Sequence, residues 1–526
     1  MVLLFQLSRG LDFRGFSSSL SKTGKVTSVF IFLWRNNREG DNSRNTSSYW
    51  KKVVDIFHAI LARRKARHIS FGVVSAVSKM GTTCLEAPSL VQDMKVTIHK
   101  SSMVFPSKET ERRSLFLSNI DKVLDFEVQT VHFFEANKDF PPQTVAEKFK
   151  TALADALVVY DFLAGRLRLN SETNRLEIDC NSEGVGLVVA STEYRLNEIR
   201  DLVYPNPAFA QFVQQGQDFL KPGDLPLCVA QVTSFKCGAF AIGITTSHTT
   251  FDGLSFRTFL DNLAALAANK PLAVIPCHDR QLLAARSPPR VSFPHPELMK
   301  LGNLPTGLES GVFEASKEEL HFKVFQLTSD NINNLKEKAK GSDVARVTGF
   351  NVITAHLWRC KALSGQCDPN RSSTVLYAVD IRSRLNPPLP KSYTGNAVLT
   401  AYATATCEEL EKVPFSSLVE MVKEGAKRMN DEYARSIIDW GELYTGFPNG
   451  EVLVSSWWRL GFEEVKYPWG KPKYCCPVVY HRKDIVLLFP SFGEGGDDDD
   501  DGVNIIVALP PKEMEKFESL FYTFLI

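Results

Sequence analysis

The sequence lacks three features that each define a class of protein. No apolar run approaches the roughly 20 residues that a membrane-spanning helix needs; the longest candidate, residues 26–34, has nine. None of the ten cysteines forms a Cys-x-x-Cys pair or lies at metal-ligand spacing from a histidine. The net charge is only +1, so nothing global attracts nucleic acid. The sequence therefore predicts a reduced, intracellular protein with no metal, no nucleic-acid partner and no stable membrane insertion.

The balanced total charge hides a basic N-terminal extension. Residues 1–79 hold 14 Lys and Arg against 4 Asp and Glu. Three interpretations stay open: a transit-like targeting segment, a basic amphipathic helix over residues 50–68, or upstream sequence that the working protein lacks, which then begins at Met80 or Met94. We expect residues 1–79 to be disordered and exclude them from the fold. A cytoplasmic location is expected, and this extension leaves organellar targeting open.

The rest of the chain predicts an α+β fold with two halves of about equal size. With 526 residues and 44% hydrophobic content, the chain is long enough for two domains or more. From Met94 onward, alternating apolar patterns typical of strands are interspersed with helical periodicities. Residues 271–312 contain seven prolines and no convincing periodicity, so they are interpreted as a long crossover linker. The predicted domains are therefore residues 94–270 and 313–526.

The stretch around His248 is the candidate active site. An alternating apolar run over residues 240–244 predicts a strand, a short polar turn carries His248, and Asp252-Gly253 opens a run with helical spacing. Because imidazole titrates near neutral pH, this histidine is suited to take a proton from an attacking hydroxyl or amine. The spacing alone is weak evidence, since a structural histidine beside a helix-capping aspartate gives the same pattern.

Further motifs give the chain a resemblance to a known family. The sequence resembles the plant BAHD, or HxxxD-type, acyltransferases, which move acyl groups from coenzyme A thioesters to alcohols and amines. The resemblance extends from about Met94 to the C-terminus. The motifs that carry it are His248-Thr-Thr-Phe-Asp252-Gly253, Trp469-Gly470-Lys471-Pro472, Tyr160 with Ala164-Gly165-Arg166-Leu167, Leu357-Trp358-Arg359-Cys360, Asp380-Ile-Arg382-Ser-Arg384-Leu-Asn-Pro387-Pro388 and Tyr393-Thr-Gly395-Asn396.

The resemblance implies a fold and a mechanism. The expected fold has two similar chloramphenicol-acetyltransferase-like domains of mixed sheet and helix, joined by the crossover, with an active-site channel at their interface. His248 is expected to act as general base, and the thioester needs no covalent intermediate because it is already activated. A preorganised donor for the oxyanion contributes roughly 3 kcal/mol; the Trp469 indole or a backbone N–H is the candidate, with an apolar anchor as the alternative role for Trp469.

The other site residues are expected to support the structure of the site or to bind the acceptor, and not to take part in the reaction. Asp252 is interpreted as a helix cap that forms a salt bridge to Arg382, with Arg384 as the alternative partner. Gly253 and Gly470 are expected to shape the backbone. Ser456 and Arg459 occupy the place where hydroxycinnamoyl-transferring members contact the acceptor, and Arg459 is suited to an acceptor carboxylate or is a structural arginine.

One segment departs from the family pattern. The family usually has Asp-Phe-Gly-Trp-Gly where this chain has Lys466-Tyr467-Pro468-Trp469-Gly470. The change reverses a charge and replaces a free glycine by proline, which fixes φ near −65°. The role given to Trp469 therefore depends on a loop whose geometry the resemblance does not establish.

The predicted function is acyl transfer from an acyl-CoA co-substrate, without a further cofactor, to a plant metabolite or lipid alcohol, or to an amine. A hydroxycinnamoyl donor is favoured, and an acetyl or longer aliphatic donor comes second. The first alternative is a non-catalytic scaffold of the same family that binds a lipid-elongation or other enzyme. The second alternative is a condensation domain that acts on carrier-protein thioesters and shares the His-x-x-x-Asp-Gly pattern. Such domains usually have a second histidine where this chain has Ser247. A monomer is expected, and the five aspartates at 497–501 are interpreted as a solvated loop.

Overall fold

The structure is a computed structural model that describes residues 91–204, 206–214, 225–301, 319–340, 347–365, 368–478, 484–491 and 502–525. The predictions for the basic extension 1–79 and for the aspartate-rich loop lie outside the described residues. Within the described ranges, no helix is both long and apolar enough to cross a membrane.

The first half of the chain contributes twelve described elements of regular α or β structure. In chain order they are β1 (Val96–Val104), β2 (Arg113–Phe116), α1 (Asn119–Lys122), β3 (Glu127–Phe134), α2 (Pro142–Val159), β4 (Arg166–Asn170), β5 (Arg175–Cys180), β6 (Val185–Thr192), β7 (Cys228–Ser234), β8 (Phe240–Ser247), α3 (Gly253–Ala267) and β9 (Leu298–Lys300).

The second half follows the crossover. Its described elements are β10 (His321–Leu327), α4 (Ser329–Lys338), α5 (Gly349–Ser364), β11 (Ser372–Asp380), β12 (Val398–Thr406), α6 (Cys407–Lys412), α7 (Phe415–Arg428), α8 (Asp431–Leu443), β13 (Gly446–Pro448), β14 (Val452–Ser456), β15 (Tyr474–Pro477), β16 (Ile485–Pro490), β17 (Val503–Leu509) and α9 (Pro511–Leu525).

Two six-stranded mixed sheets dominate the fold. The first has the order β1-β6-β7-β8-β3-β15, with all neighbours antiparallel except β6 and β7. The second has the order β10-β17-β16-β14-β11-β12 and is parallel only where β14 meets β11 and β16. Two small sheets, β13-β9 and β2-β5-β4, complete the described strands. This is the two-domain α+β architecture that the family resemblance implies; the exact domain boundaries stay predictions.

Each large sheet has its own hydrophobic core because one face is covered by amphipathic helices. On α2, Val145, Phe149 and Leu153 are buried at helical spacing, and α3 packs beside them through Phe259 and Leu263. The second core is formed by the second sheet with α4, α5, α7 and α9. A third cluster of buried residues, which includes Phe133, Phe209 and Phe212, also involves β3 of the first sheet.

The helices of the second half differ in part from what the local sequence pattern indicates. The apolar pattern of residues 415–432 predicts one helix, but the structure has α7 and then α8, separated at Met429 and Asn430. Asn430 starts a new helix because its side chain accepts a hydrogen bond from the Tyr433 backbone N–H, which is a helix cap. Strand β15 leaves the second half of the chain and pairs with β3 of the first sheet.

Candidate active site

His248 lies directly after β8, a strand of the first sheet. Its backbone N–H donates to the Phe126 carbonyl (2.8 Å), and the Phe126 ring meets the imidazole edge-on at 5.1 Å. On the other side its ring contacts Asn396, two residues before β12 begins. The side chain is half-buried. The imidazole therefore lies where the two sheets meet.

Asn396 determines which nitrogen of His248 carries the proton. The Asn396 Nδ2 donates to Asp121 Oδ1 (2.9 Å) and to the His248 carbonyl (2.8 Å), so both amide hydrogens are engaged. The Asn396 Oδ1 consequently faces His248 Nδ1, at 3.1 Å, as an acceptor. The hydrogen-bond pattern thus assigns the proton to Nδ1 and leaves the lone pair on Nε2.

The surroundings keep this imidazole neutral. Burial lowers the pKa of His248 below its usual 6.5, because removal of water disfavours the charged ring. The nearby Asp252 and Asp121 carboxylates and the Asn396 hydrogen bond act in the opposite direction but do not reverse it. At pH 7 the neutral ring can accept a proton at Nε2, as a general base must.

Asp252 faces away from this chemistry and forms the expected ion pair with Arg382. Both oxygens of the carboxylate lie 2.9 Å from the guanidinium, in a bidentate arrangement. The same carboxylate accepts from the backbone N–H groups of Ser255 and Ala397, each at 2.9 Å, so it caps α3 and fastens it to the start of β12. Among the hydrogen bonds described for Asp252 there is none to the imidazole.

Arg384, the alternative partner for Asp252, binds backbone carbonyls at the end of α7 instead. Its Nη1 donates to the Ala426 carbonyl (2.6 Å) and to the Met429 carbonyl (3.2 Å) at the end of α7. A cation at a helix C-terminus satisfies carbonyls that have no intrahelical partner. Arg384 is therefore a helix-capping residue in this structure, and Arg382 is the partner of Asp252.

Gly253 allows a segment of the second half to approach the His248 loop. A Cβ atom at this position would lie 2.5 Å from Leu460 Cδ1. Only glycine permits that contact without displacing Leu460. Glycine at position 470 is favoured for a different reason. Its φ of +120° disfavours any other residue, although the space around it is open.

The structure does not bring Trp469 to His248. Its ring packs against Phe134 and Phe240, with ring centroids 6.5 and 6.4 Å apart, and stacks on Tyr467 at 5.0 Å. Phe240 begins β8 and His248 follows its other end, so the two sites are separated by about 23 Å of strand. The indole N–H is buried without a hydrogen-bond partner, and the ring belongs to the first core. The structure therefore contradicts Trp469 as oxyanion donor and makes it an apolar anchor.

The altered segment forms a tight turn instead of an active-site loop. The backbone groups of Tyr467 and Gly470 exchange two hydrogen bonds, at 3.0 and 3.2 Å. Pro468 occupies the second position of that turn, where its fixed φ is favourable. The proline that stands in place of the family's glycine therefore suits this turn.

The two expected acceptor-binding residues lie at the end of β14. Ser456 is the last residue of this strand and is half-buried. Arg459 is exposed on the following turn, with its guanidinium 4.8 Å from the Trp458 ring centroid. The turn leads to Leu460, which contacts the Gly253 position beside the His248 loop. No described contact joins either side chain to His248.

Three residues that contact the His248 loop or its partner were missed as site residues. Asn396 stood in a family motif but had no assigned role. Asp121 follows Ser118 at the spacing of a capping box, and in the structure the two residues form one at the start of α1. Arg280 lies in the proline-rich crossover, where nothing in the local pattern distinguishes it. Within the described ranges, no group of three or more His, Cys, Asp or Glu residues could hold a metal ion.

Comparisons with known proteins agree with this architecture. A family model described as "Transferase family" matches residues 94–524. Acyltransferase GLAUCE of Arabidopsis thaliana is 59% identical over 84% of this chain and 99% of its own length. The fatty alcohol:caffeoyl-CoA acyltransferase of the same plant is 31% identical, over 81% of this chain and 98% of its own length.

A solved structure supports the fold. The crystal structure of vinorine synthase superposes with a TM-score of 0.62 at 24% identity, covering 81% of this chain and 98% of that one. At this identity the match concerns the fold alone. Together with the sequence matches over almost the whole described region, these findings identify the chain as a member of the BAHD acyltransferase family, an enzyme that transfers acyl groups from coenzyme A thioesters.

Proposed function

We propose that this enzyme transfers a hydroxycinnamoyl group from its coenzyme A thioester to the hydroxyl of a lipid alcohol or other plant metabolite, with His248 as general base. An amine is the second class of acceptor. The observation that carries the base assignment is the fixed tautomer: Asn396 Oδ1 engages Nδ1, so the basic lone pair is on Nε2.

The proposed reaction needs no covalent intermediate on the protein. As the acceptor oxygen forms a bond to the thioester carbon, its proton moves to His248 Nε2. The tetrahedral intermediate then breaks the carbon–sulfur bond, and the same proton is returned to the leaving thiolate. The products are the ester and free coenzyme A. Trp469 is not part of this scheme, and a backbone N–H remains the proposed oxyanion donor.

The choice of donor and acceptor is supported by the names of relatives. Besides the caffeoyl-CoA-dependent enzyme, an omega-hydroxypalmitate O-feruloyl transferase of Arabidopsis thaliana and a hydroxycinnamoyltransferase of Narcissus pseudonarcissus are each 31% identical to this chain. We propose that both substrates meet at His248 in a channel between the two sheets, with Ser456 and Arg459 on the acceptor side. The enzyme is proposed to act as a cytoplasmic monomer.

The test is release of free thiol by the full chain. Caffeoyl-, feruloyl-, acetyl- and palmitoyl-CoA are each paired with a long-chain alcohol, an omega-hydroxy fatty acid, shikimate and an aromatic amine. His248→Ala should lower kcat by about 10²- to 10⁴-fold, the usual contribution of a general base. His99→Ala, at an exposed strand position, is the matched control and should leave kcat unchanged.

The outcomes separate the parts of the proposal. Thiol release with acetyl- or palmitoyl-CoA alone would replace the hydroxycinnamoyl donor while keeping the reaction. Full activity in His248→Ala would refute the base assignment. No thiol release from any pair would favour the non-catalytic scaffold.

A further inference from the structure

The Asp121 carboxylate is fully buried and surrounded by donors. Its Oδ2 accepts from the backbone N–H (2.9 Å) and the hydroxyl (2.7 Å) of Ser118. Its Oδ1 accepts from the Asn396 backbone N–H (3.2 Å) and Nδ2 (2.9 Å), and lies 2.7 Å from Arg280 Nη1. Both oxygens therefore act only as acceptors, which among side chains of this size only a carboxylate provides.

This arrangement fixes the Asn396 amide in one of its two orientations. If the amide were flipped, Asn396 Oδ1 would face the Asp121 oxygen and Nδ2 would face His248 Nδ1. Two acceptors would then oppose each other in a buried site, which is costly. A flipped amide would also donate to Nδ1 and move the imidazole proton to Nε2, where the lone pair is needed. The carboxylate thus determines the tautomer of a ring that it does not touch.

The amide between Asp121 and the imidazole has a further consequence. A carboxylate bonded directly to Nδ1 would raise the affinity of the ring for a proton, whereas a neutral amide orients the ring with a weaker effect. A carboxylate at position 396 would also lie about 3 Å from Asp121, and two such groups are not both ionised at that distance. The Asn396 side chain therefore separates the charged Asp121 carboxylate from the His248 imidazole.

Arg280 brings the crossover into the same network. Its Nη1 and Nη2 donate to the carbonyls of Thr249 (3.2 Å) and Thr250 (2.8 Å), which follow His248, and its Nε donates to the Thr394 carbonyl (3.1 Å), which precedes Asn396. A Cβ at Gly395 would lie 2.5 Å from Arg280 Nε, so glycine makes this approach possible. One guanidinium consequently holds the backbone on both sides of the Asn396–His248 contact.

We propose that Asp121 is a positioning residue for His248, acting through the Asn396 amide, and that Arg280 holds this carboxylate against both segments of the site. The proposal rests on the proposed role of His248 as general base. It assigns a function to a capping residue at the start of α1 and to a crossover arginine, neither of which touches the reacting atoms.

The test compares two identical substitutions in the full chain. Asp121→Asn replaces one acceptor-only oxygen by an NH₂ group that opposes Ser118, Arg280 or Asn396. Asp439→Asn is the matched control, because Asp439 is equally buried and pairs with another crossover arginine, Arg286, at 2.6 Å. Both substitutions remove a buried carboxylate from a contact between the crossover and a helix.

The two variants are expected to differ in kcat but to have similar effects on the stability of the fold. Asp121→Asn should lower kcat by more than about tenfold, within the range that the wrong tautomer produces in a base of this type, while KM for acyl-CoA changes by less than about twofold. Asp439→Asn should lower the thermal midpoint but leave kcat within about twofold. Nitrogen-15 NMR of labelled histidine should show the His248 proton on Nδ1 in the unmodified chain and partly on Nε2 in Asp121→Asn.

Failure of this proposal is distinguishable from failure of the proposed function. Equal kcat values for Asp121→Asn and Asp439→Asn, or an unchanged tautomer, would refute the positioning role while His248→Ala remained inactive. An active His248→Ala would refute the base assignment itself. Should Asp121→Asn not fold, Ser118→Ala removes one donor to Asp121 Oδ2 and keeps the buried Asp121–Arg280 ion pair; a severalfold loss of kcat at constant KM supports the proposal, and no loss refutes it.

Discussion

Replacement of Asp252 by Asn should damage the fold far more than the chemistry. The motif His248-Thr-Thr-Phe-Asp252 invites comparison with a catalytic pair, in which loss of the carboxylate lowers kcat by about 10⁴-fold. In this structure the carboxylate is bonded to Arg382, Ser255 and Ala397. Asp252→Asn therefore removes a buried salt bridge, and the folded variant should retain kcat within a few-fold.

The size of the stability loss follows from the contacts that remain. Breaking a buried ion pair by removal of one partner costs about 3–5 kcal/mol, because the other charge stays buried. Arg382 keeps a second carboxylate partner, Asp380, at 2.9 Å, and Asp380 is partly exposed. The asparagine oxygen can also keep the cap on α3. We therefore expect a loss near the lower end of the range, about 3 kcal/mol.

The assay is urea unfolding followed by circular dichroism, with kcat measured where each variant is folded. Arg382→Met alone should cost a similar amount, and the double variant should cost less than the sum by about 1–3 kcal/mol, because it leaves neither charge buried. Arg384→Met is a matched arginine control that should show no coupling to Asp252. A large loss of kcat in Asp252→Asn with an unchanged unfolding midpoint would refute the structural role.

Three further predictions concern the same site. Because burial lowers the pKa of His248, kcat/KM should be constant near pH 7 and should fall on the acid side only below 6.5; an acid limb centred above 6.5 would contradict the tautomer and burial argument. Gly253→Ala should lower the free energy of unfolding by about 1 kcal/mol, at the low end for overpacking, because the atoms that the new Cβ meets are the movable end of the half-buried Leu460 side chain, whereas Gly365→Ala, with open space around it, should cost less in the same urea experiment. Trp469→Phe should leave kcat within about twofold, and a hundredfold loss would restore Trp469 as oxyanion donor.

Local sequence patterns predicted β8 and α3, the elements that position His248, because strand alternation and helical spacing depend only on residues that are close together in the chain. The alternation over residues 240–244 follows from one strand with two different faces, and the helical spacing after Gly253 follows from one buried stripe. Asp252 as cap and Arg382 as its partner were expected and are found in the structure. In each case the signal lay within a few residues or in a family motif.

The rest of the site was beyond local patterns because it is assembled from distant segments. Asn396 lies 148 positions after His248, and Asp121 contacts Asn396 across 275 positions. A lone arginine in a proline-rich linker carries no periodic signal, so Arg280 was invisible until its carbonyl partners were known. For Trp469 a motif suggested a place near the base that the structure does not give it. A motif that marks membership of a family does not give the distance between its residues and the base.

Strand β15 makes completion of the first sheet depend on a segment that is synthesised long after β3. Until Tyr474–Pro477 is available, one edge of β3 lacks its partner strand, and β3 carries the apolar side chains of Val131, Phe133 and Phe134. About 340 residues separate the two strands, so at 5–20 residues per second a ribosome leaves this edge open for roughly 20 to 70 s. Exposed edges of this kind recruit other chains. A nascent chain halted before Tyr474 should therefore bind chaperones more persistently than one released after Pro477.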